Sequence, residues 1–290
     1  MKHAYLILAH TEFELLQLLV QALDDPRNDI YVHFDKRVNE LPKLSVDQSR
    51  LIILTEREKV YWGDVSMIEA EYRLFRAAYT SGVEYAYFHL LSGVDLPLKS
   101  QNYIHSFFED NQDREFVGFN WEITKAQINT RVRCVHLFPH SFRGAGILFQ
   151  LKRVIRYSYI VLQKILGFKA NRNIEFHKGG QWVSITRDLV SYLLSKHEEL
   201  VRMYRYTFAP DEFFIQTLVW GTPFMERLYD KKDEGRGAVR AIGWRNGELV
   251  DYTSKDLPYL QTTEHLFARK FNSRDMTFIR EVLKLSSTNG

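Results

Sequence analysis

The chain has little cysteine: Cys134 is the only one among its 290 residues. A single thiol excludes an internal disulfide framework and any zinc site built from several cysteines. Long apolar runs are also missing, since no stretch reaches the roughly 18 apolar residues of a membrane-spanning helix. The opening MKHAYLILAHTEFELL lacks the long apolar region and the cleavage site of a secretory signal. We therefore expect a cytoplasmic protein.

A large charge of either sign is missing too. The 39 lysines and arginines against 36 aspartates and glutamates leave a net charge of +3, which gives no general case for binding nucleic acid. The 45% apolar and 26% charged fractions are ordinary for a folded globular protein. Because no repeat, low-complexity tract or long linker interrupts the chain, we expect a single domain over residues 1–290.

Three short sequences that serve nucleotide binding in other proteins are absent. No GxGxxG follows the first apolar run and no GxxxxGK[ST] occurs, so a dinucleotide fold and a P-loop lose their main support. No Asp-x-Asp occurs either, the pair with which many nucleotide-sugar transferases hold a divalent cation. If the protein handles a diphosphate leaving group, lysine and arginine must neutralise it instead.

Apolar runs that alternate with helical patterns fill the first 120 residues. The predicted strands are AYLILA (4–9), IYVHFD (30–35), LIILT (51–55) and YAYFHLLSG (85–93). The predicted helices cover EFELLQLLVQAL, opened by a capping box between Thr11 and Glu14, and VSMIEAEYRLFRAAYT. This order predicts a mainly parallel sheet with helices on both faces. Ligands bind outside the carboxyl ends of such strands, which singles out His10, Asp35 and Asp95.

The second half of the chain is less regular. Its predicted elements are a strand in EFVGFNWE (115–122), a basic amphipathic helix over 146–169, a turn, strand and helix in GGQWVSITRDLVSYLL (179–194), short segments in GAVRAIGW and HLFARKF, and a final helix from about Ser273. In TFAPDEFFIQTL, Pro210, Asp211 and Glu212 open a further predicted helix. Proline in the first turn, followed by carboxylates, is typical of a helix start, so a structural role alone would explain them.

Other candidate residues admit a plain interpretation as well. His33 and Asp35 share one face of a strand, but two ligands are too few for a metal site. A strand-end aspartate more often caps a loop or binds a ribose. Arg240 and Lys270 are either solvated surface charges or donors to phosphate oxygens.

One family matches the motifs in order. The segments VHFDKR, VYWGDVSMIEAEYRLFRAAY, YFHLLSGVDLPLKS, KGGQWVSITRDLV, APDEFFIQTL, VRAIGW and LFARKF resemble the core-2/I-branching β-1,6-N-acetylglucosaminyltransferases, with the related xylosyltransferases of glycosyltransferase family 14 and many bacterial homologues. The resemblance runs from about residue 4 to residue 271. It implies a GT-A-type nucleotide-sugar transferase fold with one Rossmann-like sheet. Residues 1–120 would form its nucleotide-sugar-binding half and residues 121–290 its acceptor-binding and catalytic half.

The resemblance also implies a reaction. It is the inverting transfer of a sugar, N-acetylglucosamine first, from a UDP-sugar to a hydroxyl of a glycan or lipid-linked glycan, without a metal or cofactor. The family's catalytic base falls on Glu212, and its diphosphate-binding cations fall on Arg240 and Lys270. Asp35 matches a strand-end aspartate near the uridine, and His10, which ends the first predicted strand, is grouped with it.

Two further positions, Asp95 and Trp182, match motif residues that line the sugar and acceptor region. Gly243 stands where bacterial relatives often have aspartate, so the resemblance does not specify the hydrogen-bond network on the phosphate side of the site. The disulfide cysteines and the membrane anchor of the animal enzymes have no counterpart, so we expect a bacterial member. A transferase for xylose or another UDP-sugar, and a binding protein that has lost catalysis, remain the alternatives.

The helix over 146–169 has two interpretations. Its basic residues are Lys152, Arg153, Arg156, Lys164 and Lys169. A solvated helix packed on the core explains them, and so does peripheral attachment to the inner face of an anionic membrane.

Overall fold

The computed structural model describes residues 1–288 and is an α/β structure around a mainly parallel sheet. Its strands are β1 (His3–Ala9), β2 (Asn28–Phe34), β3 (Arg50–Ile53), β4 (Tyr87–Ser92), β5 (Asp95–Pro97), β6 (Ser184–Thr186), β7 (Arg240–Ile242), β8 (Trp244–Arg245), β9 (Glu248–Leu249) and β10 (Phe267–Arg269). Its α-helices are α1 (Phe13–Ala22), α2 (Ser66–Tyr79), α3 (Gln101–Asp110), α4 (Lys125–Ile128), α5 (Ile147–Ile165), α6 (Arg187–Ser195), α7 (His197–Tyr204), α8 (Phe214–Val219), α9 (Glu234–Ala238), α10 (Leu257–Thr262) and α11 (Met276–Thr288).

The central sheet has five strands in the order β3-β2-β1-β4-β6. Strands β1 to β4 are parallel to their neighbours, and β6 joins the edge antiparallel to β4. A second sheet has the order β5-β10-β7, and β8 pairs with β9 as a small hairpin. The parallel core of the sheet and the helices on its two faces agree with the fold class expected from the sequence.

Both faces of β1 are buried, which explains its nearly continuous apolar sequence. Ala4 and Leu6 point into one core, where the side chains of α2 and α6 pack. Tyr5 and Ile7 point into the other core, which includes the apolar face of α1. Because successive side chains of a strand alternate between the faces, β1 supplies both cores at once.

Three sequence predictions about local structure are wrong. The capping box at Thr11 does not form, because Glu12 occupies the N-cap in a left-handed conformation without a side-chain cap. The predicted strand at 115–122 makes only isolated bridges through Glu115 and Phe116. The helix predicted to begin at Pro210 is divided into a 3-10 turn over Pro210–Glu212 and the short α8.

The carboxyl ends of the central strands meet at one edge, as the topology requires. Asp35 N–H, after β2, donates to Ala9 O at 2.9 Å, and Gly93 N–H, after β4, donates to Leu8 O at 2.8 Å. The loops that bear the motif residues therefore begin from one rigid edge. Within residues 1–288, no helix combines the length and the apolar character needed to cross a membrane.

Candidate active site

Glu212 lies at the end of the 3-10 turn that follows left-handed Ala209, and its side chain is 35% exposed. Arg131 Nη1 donates to Glu212 Oε2 at 2.6 Å, and Lys178 Nζ lies 3.3 Å from the same oxygen. No other side chain among the described residues bonds the second oxygen, Oε1. The carboxylate is therefore neutralised on one oxygen and free on the other, and cations rather than a regular helix start hold it.

Glycine at position 179 allows this arrangement. Gly179 N–H donates to the carbonyl of Glu212 at 2.9 Å. A Cβ at position 179 would lie 1.9 Å from Gly118 O and 2.6 Å from Gln216 Nε2, so no side chain fits. The same Gln216 amide donates to the carbonyls of Gly118 and Gly180, at 3.0 and 2.9 Å. Hydrogen bonds thus connect the segments that contain Gly118, Gly179 and Gln216 next to Glu212.

Asp211, next to Glu212, is buried, and its Oδ1 has no hydrogen-bond partner. Burial, and then the charge of Glu212, raise the pKa of Asp211 to about 7. Glu71 of α2 is also fully buried and accepts from Gln181 Nε2 at 2.8 Å. Burial and the nearby Asp211 raise the pKa of Glu71 well above its ordinary value. Two buried carboxyl groups, those of Asp211 and Glu71, therefore lie near the partly exposed carboxylate of Glu212.

Asp95 and Trp182 come together through an arginine that the sequence analysis did not single out. Asp95 is fully buried and accepts from Ser92 N–H at 3.0 Å and from Ser92 Oγ at 2.5 Å. Arg269 Nε lies 3.6 Å from Asp95 Oδ1, and its guanidinium stacks 4.1 Å from the Trp182 ring centre. Burial raises the pKa of Asp95, and Arg269 opposes that rise. In this arrangement both predicted sugar-region residues face the interior.

Arg240 is placed in the core rather than at the surface, with an exposed fraction of 2%. Its guanidinium donates to Ala238 O at 2.9 Å, to Val183 O at 3.1 Å and to Ser184 Oγ at 2.9 Å, over the ring of Phe267. Burial lowers its pKa to about 10. Its Nη1 and Nη2 atoms are bonded to interior acceptors, and its Nε is buried without a partner, so this geometry disfavours the predicted phosphate role.

Lys270, the second predicted diphosphate-binding cation, is partly exposed. Its side chain is 35% exposed, and Nζ lies 3.3 Å from Asp251 Oδ1. The next residue, Phe271, donates its N–H to Val94 O at 3.0 Å, which holds Lys270 beside the loop that follows β4. Lys270 therefore lies close to the carboxyl edge of the sheet and keeps exposed surface.

Asp35 and His10 end neighbouring strands, as expected. Asp35 accepts from Arg37 N–H at 2.8 Å, from Arg37 Nε at 2.9 Å and from Val60 N–H at 3.2 Å. Burial acts to raise the pKa of Asp35, but its bonds with Arg37 outweigh burial and lower that pKa. His10 follows β1 directly and is exposed. This corner therefore holds a buried carboxylate, already bonded to Arg37 and Val60, beside an exposed imidazole.

The metal alternative for His33 finds no further ligands. His33 Nε2 accepts from Glu58 N–H at 2.8 Å, so this nitrogen is already used. Across residues 1–288, no three His, Cys, Asp or Glu side chains are grouped so that they could hold a metal ion. Whether the reaction requires a metal stays a prediction.

The loop between β3 and α2 connects the strand-end corner with the turn that bears Glu212. Val60 N–H binds Asp35, and three residues later Gly63 O accepts from Ala209 N–H at 2.8 Å. Gly63 has φ +77, and a Cβ there would lie 2.9 Å from the ring of Phe208. Only glycine meets both conditions, which explains its place in the VYWGD segment.

Arg131 and Lys178 are the functional candidates that the sequence analysis missed, with Arg269 as the third. Lys178 begins the segment KGGQWVSITRDLV, and Arg269 lies next to Lys270 in LFARKF. Both lie in segments that resemble the family, so the sequence could have indicated them. No local pattern marked Arg131, because its partner is 81 residues away in the chain.

Comparisons with known proteins identify the family of the chain. The family model described as Core-2/I-Branching enzyme matches residues 3–268. The chain is 23% identical to N-acetyllactosaminide beta-1,6-N-acetylglucosaminyl-transferase of Mus musculus, over 97% of this chain and 71% of that protein. It is 24% identical to xylosyltransferase 2 of Rattus norvegicus, over 97% of this chain and 33% of that protein.

A solved structure, mouse xyloside xylosyltransferase 1 in its apo form, aligns with a TM-score of 0.28 and 13% identity over 76% of this chain and 81% of that one, which is too weak to bear on the fold. The family model, in contrast, spans nearly the whole sequence. The chain therefore belongs to the Core-2/I-branching enzyme family and is a glycosyltransferase.

Proposed function

We propose that the protein transfers a sugar, N-acetylglucosamine first, from a UDP-sugar to a hydroxyl of a glycan or lipid-linked glycan, with inversion and without a divalent metal. The observation that carries this proposal is the carboxylate of Glu212, which is held through Oε2 by Arg131 and Lys178. The side chain is 35% exposed, and its free oxygen can accept a proton. The names of the relatives, which are N-acetylglucosaminyl- and xylosyltransferases, support the sugar class.

The reaction is a single in-line displacement. Glu212 Oε1 takes the proton of the acceptor hydroxyl while that oxygen forms a bond to the anomeric carbon. The bond from this carbon to the diphosphate breaks on the opposite face, and UDP leaves with the bonding electrons. Arg131 and Lys178 keep the carboxylate in one orientation, which limits the conformational freedom lost on the way to the transition state.

Lys270 is the cation that we assign to the departing diphosphate. It is half-exposed and lies beside the loop after β4, whereas Arg240 is buried and bonded to interior acceptors. A preorganised cation is most effective where negative charge grows during the reaction, here on the β-phosphate. Asp35 and His10 lie at the ends of β2 and β1, where a nucleoside binds in sheets of this kind.

A transferase for xylose or another UDP-sugar is the nearest alternative, because xylosyltransferases are among the relatives. A binding protein without catalysis is the second. A carboxylate with one oxygen held by two cations and the other oxygen free favours an enzyme over that second alternative.

The test measures UDP release from UDP-N-acetylglucosamine and from UDP-xylose, with a panel of oligosaccharide acceptors that begins with N-acetyllactosamine, in excess EDTA. We expect release that needs both donor and acceptor and that EDTA leaves unchanged. The anomeric configuration of the product, opposite to that of the donor, would establish inversion. Strict dependence on manganese would overturn the metal-free mechanism, and UDP binding without release from any pair would favour the non-catalytic alternative.

Replacing Lys270 by methionine is expected to weaken UDP binding by about tenfold, since a charge-assisted hydrogen bond is worth about 1.5–3 kcal/mol and Asp251 already takes part of this charge. Isothermal titration with UDP measures the effect, and Lys43→Met, at an exposed position, is the matched control. Equal affinities of the two variants would remove Lys270 from the diphosphate site.

A further inference from the structure

Helix α5 buries two polar side chains, Arg156 and Gln163, together with Ile160, and it exposes most of its apolar side chains, unlike an ordinary surface helix. On its inner face, the buried Arg156 donates to Leu137 O at 2.9 Å and to Ser141 O at 2.7 Å. The Gln163 amide exchanges two hydrogen bonds with the backbone of Val135, at 2.8 and 2.9 Å. These bonds fasten α5 to the body in one rotation. Arg156 is therefore an anchor and not one of the outward charges.

The outer face of α5 and the turn after it are apolar. Ile147 is 90% exposed and Ile165 is 76% exposed, at the two ends of the helix. The other exposed apolar residues are Leu148, Leu151, Val154, Ile155, Tyr157, Val161, Leu162, Leu166 and Phe168. At 100° per residue, Ile147, Leu151, Val154, Val161 and Ile165 fall opposite Arg156, on the side that points away from the protein. The exposed Ser158 lies on the same side, which is otherwise apolar. An exposed apolar patch of this kind marks an interaction surface.

The charge around this patch has one sign. Residues 123–174 contain ten lysines and arginines and no aspartate or glutamate. The net charge of the whole chain is +3, so the remaining residues carry 3 − 10 = −7. Arg153 and Lys164 are exposed on one flank of the apolar face, and the exposed Lys169 follows the helix. An apolar strip flanked by cations is complementary to a lipid bilayer whose headgroups are anionic and whose interior is apolar.

We propose that α5 is a membrane-docking helix, which lies in the plane of a bilayer that contains anionic lipid, with its apolar face among the acyl chains. Lysine and arginine beside such a face extend their charged ends to the lipid headgroups. A second copy of the chain fits less well. Arg153 and Lys164 of both copies would line the same seam, and residues 123–174 offer no acidic partner.

The docking helix is joined to the candidate active site by direct contacts. The Phe142 ring, one residue beyond the anchor contact of Arg156 with Ser141, packs 4.7 Å from the ring of Phe208. Phe208 N–H donates to Arg131 O at 2.8 Å, and the Arg131 side chain holds the catalytic glutamate. If transfer proceeds as proposed, the bilayer would present a lipid-borne acceptor to this turn, a consequence that rests on the proposed function. The docking itself does not.

The experiment is co-sedimentation of the full chain with phosphatidylcholine vesicles and with vesicles that contain phosphatidylglycerol as well. We expect binding to the anionic vesicles at low salt and weaker binding as salt screens the charges. Leu151→Glu with Val154→Glu changes two exposed positions and should lower the partition coefficient at least about tenfold, because two apolar contacts become charges. Arg153→Glu with Lys164→Glu should remove the preference for anionic lipid.

The matched control is Leu41→Glu with Lys43→Glu, an exposed apolar and basic pair outside α5, which should bind like the unchanged protein. Glu212→Gln should also bind vesicles normally, which separates docking from catalysis. No binding to anionic vesicles at low salt, or binding that the Leu151 and Val154 changes leave intact, would overturn the proposal. A dimer in sedimentation equilibrium that these changes dissociate, without vesicle binding, would assign the face to a second copy instead.

Discussion

Glu212→Gln is expected to lower kcat by roughly two to four orders of magnitude, the usual contribution of a general base. Glutamine has nearly the same shape, and its carbonyl oxygen can still accept from Arg131 and Lys178, so the turn should keep its conformation. What is lost is the oxygen that accepts the acceptor's proton. Steady-state UDP release with the preferred donor and acceptor measures the loss.

Binding should be nearly unaffected in the same variant, because we assign the diphosphate to Lys270 and not to the base. The affinity for UDP is therefore expected to stay within about threefold of the unchanged protein, a difference of less than 1 kcal/mol. Glu198→Gln, an exposed glutamate of α7, is the matched control and should leave kcat unaltered. Turnover at the original rate in Glu212→Gln would show that another group takes the proton.

Asp211→Asn is expected to change how stability depends on pH. The pKa of Asp211 in the folded protein is about 7, above its ordinary 3.8, so the folded state binds the extra proton between these two values. The stability contributed by this group is complete below about pH 4 and is lost as pH rises through about 7. Asparagine does not titrate, so the loss is absent from the variant.

The free energy of unfolding of the unchanged protein should therefore fall by about 3 kcal/mol relative to Asp211→Asn between about pH 5 and about pH 8. Urea unfolding of both proteins at the two pH values measures this difference. The asparagine also alters hydrogen bonds, but by the same amount at both pH values. The test is therefore how the difference between the two free energies of unfolding changes with pH. If the two proteins keep a constant difference across this range, Asp211 does not take up a proton on folding.

Local patterns were enough to predict the central strands and α2. Their apolar period and their order along the chain decide which face is buried, and these are properties of neighbouring residues. The turn at Pro210 lies where the sequence predicts a helix start, but it is a 3-10 turn followed by the short α8. Left-handed Ala209, whose N–H binds Gly63 O, explains why no regular helix begins there.

The candidate site was predicted in part. Glu212 and Lys270 are partly exposed and Asp35 is buried after β2, and the roles that the resemblance implies for all three stay predictions. Arg240 was predicted for the same surface and is buried, because its burial depends on Phe267 and Ser184, which reach it only through packing of separate strands. Arg131 was missed for the same reason.

The sequence by itself determined the fold class, the family and the residue that we assign as the base, because each depends on residue order and short-range periodicity. The tertiary structure alone decided which cations hold Glu212, which arginine is available and which face of α5 is turned outward. In α5 the sequence shows basic and apolar residues in a helical pattern, but not which side packs on the protein. Arg156 and Gln163 settle this, because their hydrogen bonds with distant backbone groups turn the polar side inward.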